Sequence, residues 1–386
     1  MKRALCTFAL GAALAATASA QNVKLGVINS TSGSQAPIGE TINNGYILAL
    51  EDLKKKGINV ELVKEDDTGK PQIAMSGFEK LATRDNVVGV VGPYASNCAN
   101  AISRLAEKYK VPLLVPVASK EDITKQGLKW LFRLSATTDD YASVLLDMAV
   151  KVGKAYKPKT MAIINENTDF GTSGARSAKT LAGTLGLTVV AEEAYAAGSP
   201  DYRSTLTKIK SKSPDLVFMV SYVADGILLM RQAREVGLQP QAFLGAGAGF
   251  GQAAFAKETD ISNNVFSSTQ WTEEAPWPGA REFAKRYREK FKVEPAYHAA
   301  NAYASLMVMA ETAAKAGGSR EKLRELLKSG KWNGIMGEVK FEDYDGYTNQ
   351  NKHQMLVEQI KNGKFETVWP AKFTKNKAVY PFPKWK

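Results

Sequence analysis

Asn86-Val87-Val88-Gly89-Val90-Val91-Gly92-Pro93-Tyr94-Ala95-Ser96-Asn97-Cys98-Ala99-Asn100-Ala101 decides how the rest of the chain is read. Val87, Val88, Val90 and Val91 make a short apolar run without polar alternation, the pattern of a strand covered by helices on both faces. Gly92 and Pro93 end it. Ser96 or Asn97 then caps a helix carrying Ile102 and Leu105, so backbone N–H groups and a hydroxyl face the space beyond the strand's carboxyl end. Such a turn suits an anion, for example a carboxylate. Taken alone, Ser96 reads better as a plain helix cap; repetition of the arrangement along the chain favours a binding role.

Around this stretch, strands are expected at 23–28, 60–65 and 112–115, with helices at 40–55, 71–84 and 97–108 between them. A second segment repeats the order, with strands at 160–164, 187–191, 215–220 and 242–244 and helices at 172–185, 202–210 and 226–235. Alternating strands and helices mean parallel sheets with right-handed crossovers, so the fold class is α/β with two doubly wound parallel-sheet lobes. Ligands of open α/β sheets sit beyond the carboxyl ends of the strands. That rule selects the loops 93–97 and 117–120 in one lobe and 165–171, 221–225 and 246–251 in the other. The remaining chain reads as a strand at 264–268, helices at 281–291, 298–316 and 321–328, a strand at 337–341, a loop at 342–352, and a hairpin of strands 355–360 and 365–368 about an Asn-Gly turn. These elements complete the two lobes in turn. Three crossings result, near 135–140, 269 and 341–350.

At 386 residues, 44% hydrophobic and 23% charged, the chain suits two ordinary globular cores. Lys2 and Arg3 precede an apolar run at 4–16, and Ala18-Ser19-Ala20 gives a small-x-small cleavage pattern before Gln21. Residues 1–20 are therefore expected to be a removable export signal. Cys6 lies too far from the cut to become a lipid-bearing N-terminus. Of the two cysteines only Cys98 survives cleavage, so the exported chain forms no internal disulfide and stands on its cores. Its place one turn into an Ala-rich helix favours a buried structural thiol over a catalytic one. The formal charge of +12 loses Lys2 and Arg3 to become about +10. Its lysines and arginines are scattered, without a basic block interleaved with aromatics, which argues against nucleic acid as a partner and leaves a mild steering of anions.

In this order and spacing the chain resembles the periplasmic solute-binding proteins of ABC importers, and is similar within them to the leucine/isoleucine/valine-binding family. The residues that carry the resemblance are Val23-Lys24-Leu25-Gly26-Val27 with Thr31-Ser32-Gly33, Glu65-Asp66-Asp67 with Pro71, Val91-Gly92-Pro93-Tyr94-Ala95-Ser96, and Val115-Pro116-Val117-Ala118-Ser119. Leu131-Phe132-Arg133-Leu134, Ala162-Ile163-Ile164-Asn165 with Phe170-Gly171, Asp201-Tyr202, and Arg231-Gln232-Ala233-Arg234-Glu235-Val236-Gly237-Leu238 complete it. It spans the whole chain after the signal. It implies a type I periplasmic binding fold whose lobes, 21–138 plus 270–342 and 139–269 plus 343–386, are joined by three linkers and close on a ligand by a hinge. It also implies a periplasmic, monomeric, non-enzymatic protein that needs no cofactor or metal and delivers its ligand to an inner-membrane ABC permease.

Residue by residue, the resemblance gives Tyr94, Ala95 and Ser96 to a ligand carboxylate and Val117, Ala118 and Ser119 to the second wall. Phe170 and Tyr222 become aromatic covers from the other lobe. One departure is informative. Amino-acid binders of the family place an acid in the 245–251 loop to meet the substrate ammonium, whereas Gly245-Ala246-Gly247-Ala248-Gly249-Phe250-Gly251 carries none, with Gly247 at the acid's position. A buried ammonium without a counter-charge costs several kcal/mol. The expected ligand is therefore a small hydrophobic or aromatic carboxylate, with an amino acid as the alternative should Glu166, Asp169 or Asp225 stand in. Gly69 and Ala95 occupy the places of the family's disulfide. The spacing Gly245-x-Gly247-x-Gly249, in a late loop, is not a dinucleotide fingerprint.

Two other classes were weighed. A hydrolase needs a nucleophile and a base, and with only His298 and His353 available a Ser96/His298 pair is the one arrangement left open. A ligand-sensing receptor domain would share the fold, but neither a membrane span nor a DNA-binding helix-turn-helix accompanies it here.

Overall fold

The computed structural model describes residues 21–385; the expected signal peptide and Cys6 lie outside them. Strands β1 (Gln21–Asn29), β2 (Ile58–Asp66), β3 (Gly89–Val91), β4 (Leu113–Val115) and β5 (Leu131–Arg133) alternate with helices α1 (Ala36–Lys55), α2 (Pro71–Thr83) and α3 (Ser96–Tyr109). The second run holds α4 (Thr138–Val152), β6 (Thr160–Glu166), α5 (Asp169–Thr184), β7 (Thr188–Tyr195), α6 (Arg203–Ser211), β8 (Leu216–Val220), α7 (Val223–Glu235) and β9 (Ala242–Gly245). Two single-turn helices, α8 (Ala253–Ala256) and α9 (Thr259–Ser262), lead to β10 (Phe266–Thr269). Then come α10 (Ala280–Phe291), α11 (Tyr297–Ala316) and α12 (Arg320–Ser329). The strands β11 (Trp332–Gly334), β12 (Gly337–Val339), β13 (Phe341–Tyr344), β14 (Tyr347–Asn351), β15 (Leu356–Lys361) and β16 (Lys364–Trp369) close the chain.

Two seven-stranded sheets form, in the orders β13-β14-β5-β4-β3-β1-β2 and β16-β15-β10-β9-β8-β6-β7. Strands β1 to β5 in the first sheet and β6 to β10 in the second pair in parallel, and the central ones are fully buried, as in Leu-Val-Phe-Met-Val of β8, because helices cover both faces. The two faces of the second sheet are visible in β8 itself. Leu216, Phe218 and Val220 join one core while Val217 and Met219 join the other, the period-2 alternation of a strand. An antiparallel hairpin finishes one edge of each sheet, β13–β14 on the first and β15–β16 on the second. These are the two doubly wound, mostly parallel sheets that the sequence pattern implied.

Three readings need correction. The stretch 342–352, expected as a loop, is mostly strand, and β14 pairs with β5 of the first sheet. The cause is the turn Asp345-Gly346, with φ of 48° and 81°, a pair of left-handed residues that closes a tight hairpin. Strands β13 and β14 therefore belong to the first sheet. Trp332–Gly334 and Gly337–Val339 form a small two-stranded sheet of their own, so the expected strand at 337–341 is divided. Finally, α5 and α7 begin three residues earlier than their apolar spacing suggests, which moves Phe170 from a loop into the first turn of α5 and makes Tyr222 the residue that precedes α7.

Candidate functional site

After β3 the backbone turns at Gly92, where φ is 126° and a Cβ would sit 2.1 Å from the Ile28 carbonyl oxygen. Only glycine permits that approach, and it sets Tyr94 at the end of the strand and Ser96 as the first residue of α3. Ser96 is not the cap: Ala95 holds that position, and its side chain accepts no hydrogen bond. The Ser96 Oγ instead accepts from the N–H of Ser119 (3.3 Å) and of Lys120 (3.2 Å), fixing the loop after β4 to the loop after β3. Its own O–H remains available as a donor.

Tyr94, Ser96, Val117, Ala118, Ser119, Phe170 and Tyr222 come together around one cavity between the two sheets, joined by Tyr141, Ala248, Tyr297 and His298. The cavity holds about 240 Å³ of non-atom space, solvent at its mouth included, and only about 10 Å³ accommodates the centre of a water molecule. Aromatic rings fill the seam. Tyr222 lies with its centroid 6.0 Å from Tyr94 and 5.8 Å from Phe170. Two larger hollows, in which about 410 and 590 Å³ accommodate the centre of a water molecule, open elsewhere, the first beside Arg288 and its carboxylate partners Glu273 and Glu294, the second between α10, α11 and the β11–β12 hairpin. Size does not select among them; the strand-end rule selects the small one.

Of the sequence-derived residues, Ala95 is buried but stands behind the cavity wall, and Gly247 flanks it rather than lining it. Gly247 has φ 60° and ψ −135°, and a Cβ there would meet the Tyr297 hydroxyl at 3.0 Å. A phenol thus stands against the position that the family gives to an acid. The Tyr297 oxygen accepts from the Ala248 N–H (2.9 Å) and the Tyr141 hydroxyl (3.3 Å), and Gln270 donates to Tyr141 in turn. This network is neutral throughout.

The three candidate substitute acids are all engaged elsewhere. Glu166 accepts from the Thr168 and Gly171 N–H groups at the start of α5. Asp225 accepts from the Gly198 N–H (3.1 Å) and the Tyr202 hydroxyl (3.1 Å). Asp169 pairs with Lys120 across the seam (3.0 Å) and accepts from Asn100 (3.3 Å). Burial raises the carboxyls of Glu166 and Asp225 above their ordinary range, which weakens them further as partners for a cation.

Sequence reading missed Tyr141, Ala248 and Tyr297 as wall residues, and weighed His298 only as a base. His298 is fully buried, and burial pushes its pKa down to about 3, so the ring is neutral. Gln252 Nε2 donates to its Nδ1 (2.6 Å), while its Nε2 and the Tyr94 hydroxyl find no partner in the protein. Ser96 and His298 are not hydrogen-bonded to each other, so the hydrolase pair does not form. Among the described residues no cluster of three or more His, Cys, Asp or Glu is gathered for a metal, and no helix is long and apolar enough to cross a membrane. Cys98 is buried, its thiol pushed up by burial and by the nearby Asp67 carboxylate, an unreactive setting.

Residues 22–364 match the family model described as periplasmic binding protein. The chain belongs to that family. Leu/Ile/Val-binding protein homolog 8 of Brucella abortus is 30% identical to it over 395 residues, 96% of each chain. Among solved structures, the branched-chain amino acid transporter substrate-binding protein LivJ of Streptococcus pneumoniae, in complex with isoleucine, matches with 26% identity and a TM-score of 0.80 over 90% of this chain and all of that one. A solute-binding protein of an ABC transporter from Rhodopseudomonas palustris, in complex with 3,4-dihydroxybenzoic acid, matches with 23% identity and a TM-score of 0.79 over 95% and 98%. This periplasmic binding protein is thus a substrate-binding component of an ABC transporter in the branched-chain amino acid group, a non-enzymatic family.

Proposed function

We propose that this binding protein captures a small aromatic carboxylate between its two lobes in the periplasm and presents the closed form to an inner-membrane permease. The lobes are read as 21–138 plus 270–351 and 139–269 plus 352–385. Tyr94, Ser96 and Ser119 take the carboxylate, and Phe170 and Tyr222 cover the ring.

The observation that carries this reading is the charge pattern of the helix ends. Ser96 opens α3, Tyr297 and His298 open α11, Tyr222 precedes α7, and Phe170 and Tyr141 lie in the first turns of α5 and α4. Five helix N-termini therefore converge, each carrying roughly half a positive charge. In α4, α5 and α7 an acid sits in the first turn and offsets it; α3 and α11 carry none. The uncompensated positive ends lie together on the first-sheet side, beside Tyr94, Ser96 and His298. No cavity-lining side chain is charged, so an anion is favoured by about 0.3–2 kcal/mol per helix end and an ammonium is opposed by the same field.

Relatives of this fold hold isoleucine in one case and 3,4-dihydroxybenzoic acid in another, so the fold is compatible with both classes and the side chains decide. Thermal shift and calorimetry of the ligand-free chain against benzoate, 3,4-dihydroxybenzoate, leucine and isoleucine test the reading, since a ligand of the native state alone raises Tm. Aromatic acids are expected to raise Tm and the aliphatic amino acids not. The reverse result removes the aromatic reading.

A further inference from the structure

His298 stands at the second position of α11, packed with the elements of the first sheet, and its ring stacks on Tyr297 at 3.9 Å. Its Nε2 is a buried polar atom without a protein partner on a cavity wall, 5.9 Å ring to ring from Tyr94, whose hydroxyl is likewise unpartnered. Burying such groups unpaired costs about 1–3 kcal/mol each, so two of them side by side mark a place built for something else to bind. Gln252 comes from the other side of the seam, between Gly251 and α8, in the loop that follows β9 of the second sheet. Its amide nitrogen can only donate, so Nδ1 of His298 accepts and the ring proton resides on Nε2.

We propose that His298 is a specificity-determining donor to the ligand's carboxylate, with Gln252 as the positioning residue that fixes its Nε2–H tautomer across the seam between the sheets. This rests on the reading of the cavity as a carboxylate site. The Tyr94 hydroxyl and the His298 Nε2–H converge on one oxygen, and Ser96 and Ser119 serve the other. Because Gln252 and His298 belong to opposite sides, the donor is set only when the two sides are together, which couples recognition to closure. A neutral imidazole supplies the bond without a counter-ion. No titratable side chain other than Tyr94, Tyr141, Tyr222 and Tyr297 lines the cavity with His298, so the contact stays independent of pH through the neutral range.

The chain holds only two histidines, His298 and His353, so imidazole nitrogens are resolved individually by long-range ¹H–¹⁵N NMR. The expected signature is a neutral Nε2–H ring at His298 whose Nε2 resonance moves on adding benzoate. His298→Phe keeps the stacking ring and is expected to weaken benzoate about tenfold or more, His298→Gln to retain part of the affinity, and Gln252→Leu to mix the tautomers. Unchanged benzoate affinity in His298→Phe, or an Nε2 resonance indifferent to bound ligand in the wild-type chain, overturns the proposal. The wild-type measurement holds even if a variant fails to fold. Should isoleucine bind in place of benzoate, the aromatic reading falls, and the same resonance and the same variants, read with isoleucine, decide His298 separately.

Discussion

Ser96→Ala separates two jobs of one hydroxyl. Its Oγ accepts the Ser119 N–H in a fully buried pair and the Lys120 N–H in a partly buried one. Alanine leaves the Ser119 N–H without a partner, which costs about 1–3 kcal/mol, and removes a bond at Lys120 that water can partly replace, about 0.5–1 kcal/mol. The expected loss of stability is about 1.5–4 kcal/mol, read from urea denaturation followed by tryptophan fluorescence. Amide exchange at Ser119 and Lys120 should speed up together. On the ligand side, the O–H that donates to a carboxylate is worth about 1.5–3 kcal/mol, so Kd rises roughly tenfold to a hundredfold by calorimetry. A denaturation midpoint equal to wild type refutes the tie between the loops. An unchanged Kd in a destabilised variant refutes the ligand contact and leaves the structural role standing.

Tyr94→Phe should move stability and affinity in opposite directions: the ligand-free chain gains about 1 kcal/mol because an unpartnered buried hydroxyl is gone, while carboxylate binding weakens about tenfold, and a loss of both would show the hydroxyl to be bonded within the protein. Gly247→Ala should cost about 1–3 kcal/mol in thermal unfolding, from the left-handed φ and the 3.0 Å approach to Tyr297, and a neutral result would mean that the loop relaxes freely. Asp139→Asn tests a pH dependence. Burial and the neighbouring Glu121 carboxylate push the Asp139 carboxyl up to about 6, so the folded chain holds this proton more tightly than the unfolded chain and loses stability as pH rises from about 4 through 6. Asparagine should therefore stabilise by about 1 kcal/mol at pH 7.5, after allowance for solvent screening, and by nearly nothing below pH 4; an equal gain at both pH values rules out titration as the cause.

The repeat of buried strands and helices was legible because parallel strands covered on both faces read as unbroken apolar runs, and the strand-end rule then selected the loops that hold Tyr94, Ser96, Ser119, Phe170 and Tyr222, while the family resemblance singled out those residues within them. The hairpin at 341–351 was missed although Asp345-Gly346 is a strong local turn signal, because its flanks Glu342, Asp343, Asn349, Gln350 and Asn351 are polar and suggest a solvated loop. They are polar for a structural reason. Gln350 and Asn349 are buried against the first-sheet edge, where Gln350 accepts from Thr124 and Arg133 and Asn349 donates to the Leu131 carbonyl. Tyr297 was missed, and His298 was read only as a base, because an Ala-rich helix hides its first turn; nothing local marks a helix start as facing a site when its cap is Ala296. An acid-free first turn is not a signal by itself, since α1, α2 and α6 also have one; α3 and α11 differ in that the fold brings both to one cavity.

On the proposed reading, charge rather than bulk discriminates between ligands at closure. The Tyr94 and Tyr222 rings stand 6.0 Å apart, tilted by 58°, and the Gln252–His298 bond of 2.6 Å and the Lys120–Asp169 pair of 3.0 Å span the same seam. Any body placed between the two tyrosines with at least about 4.5 Å to each ring centroid must part them by about 3 Å. That parting stretches a bridging hydrogen bond beyond about 3.5 Å, where its worth is lost. A flat ring and a branched aliphatic chain meet this limit alike, so a ligand that leaves the Gln252–His298 bond intact packs beside the tyrosine pair, toward Phe170, whichever class it belongs to. An amino acid brings the same carboxylate and adds an ammonium, which the N-termini of α3 and α11, without an acid in their first turns, oppose. Helix-end field and tautomer control thus act on the charged end of the ligand, and the missing counter-charge decides the class.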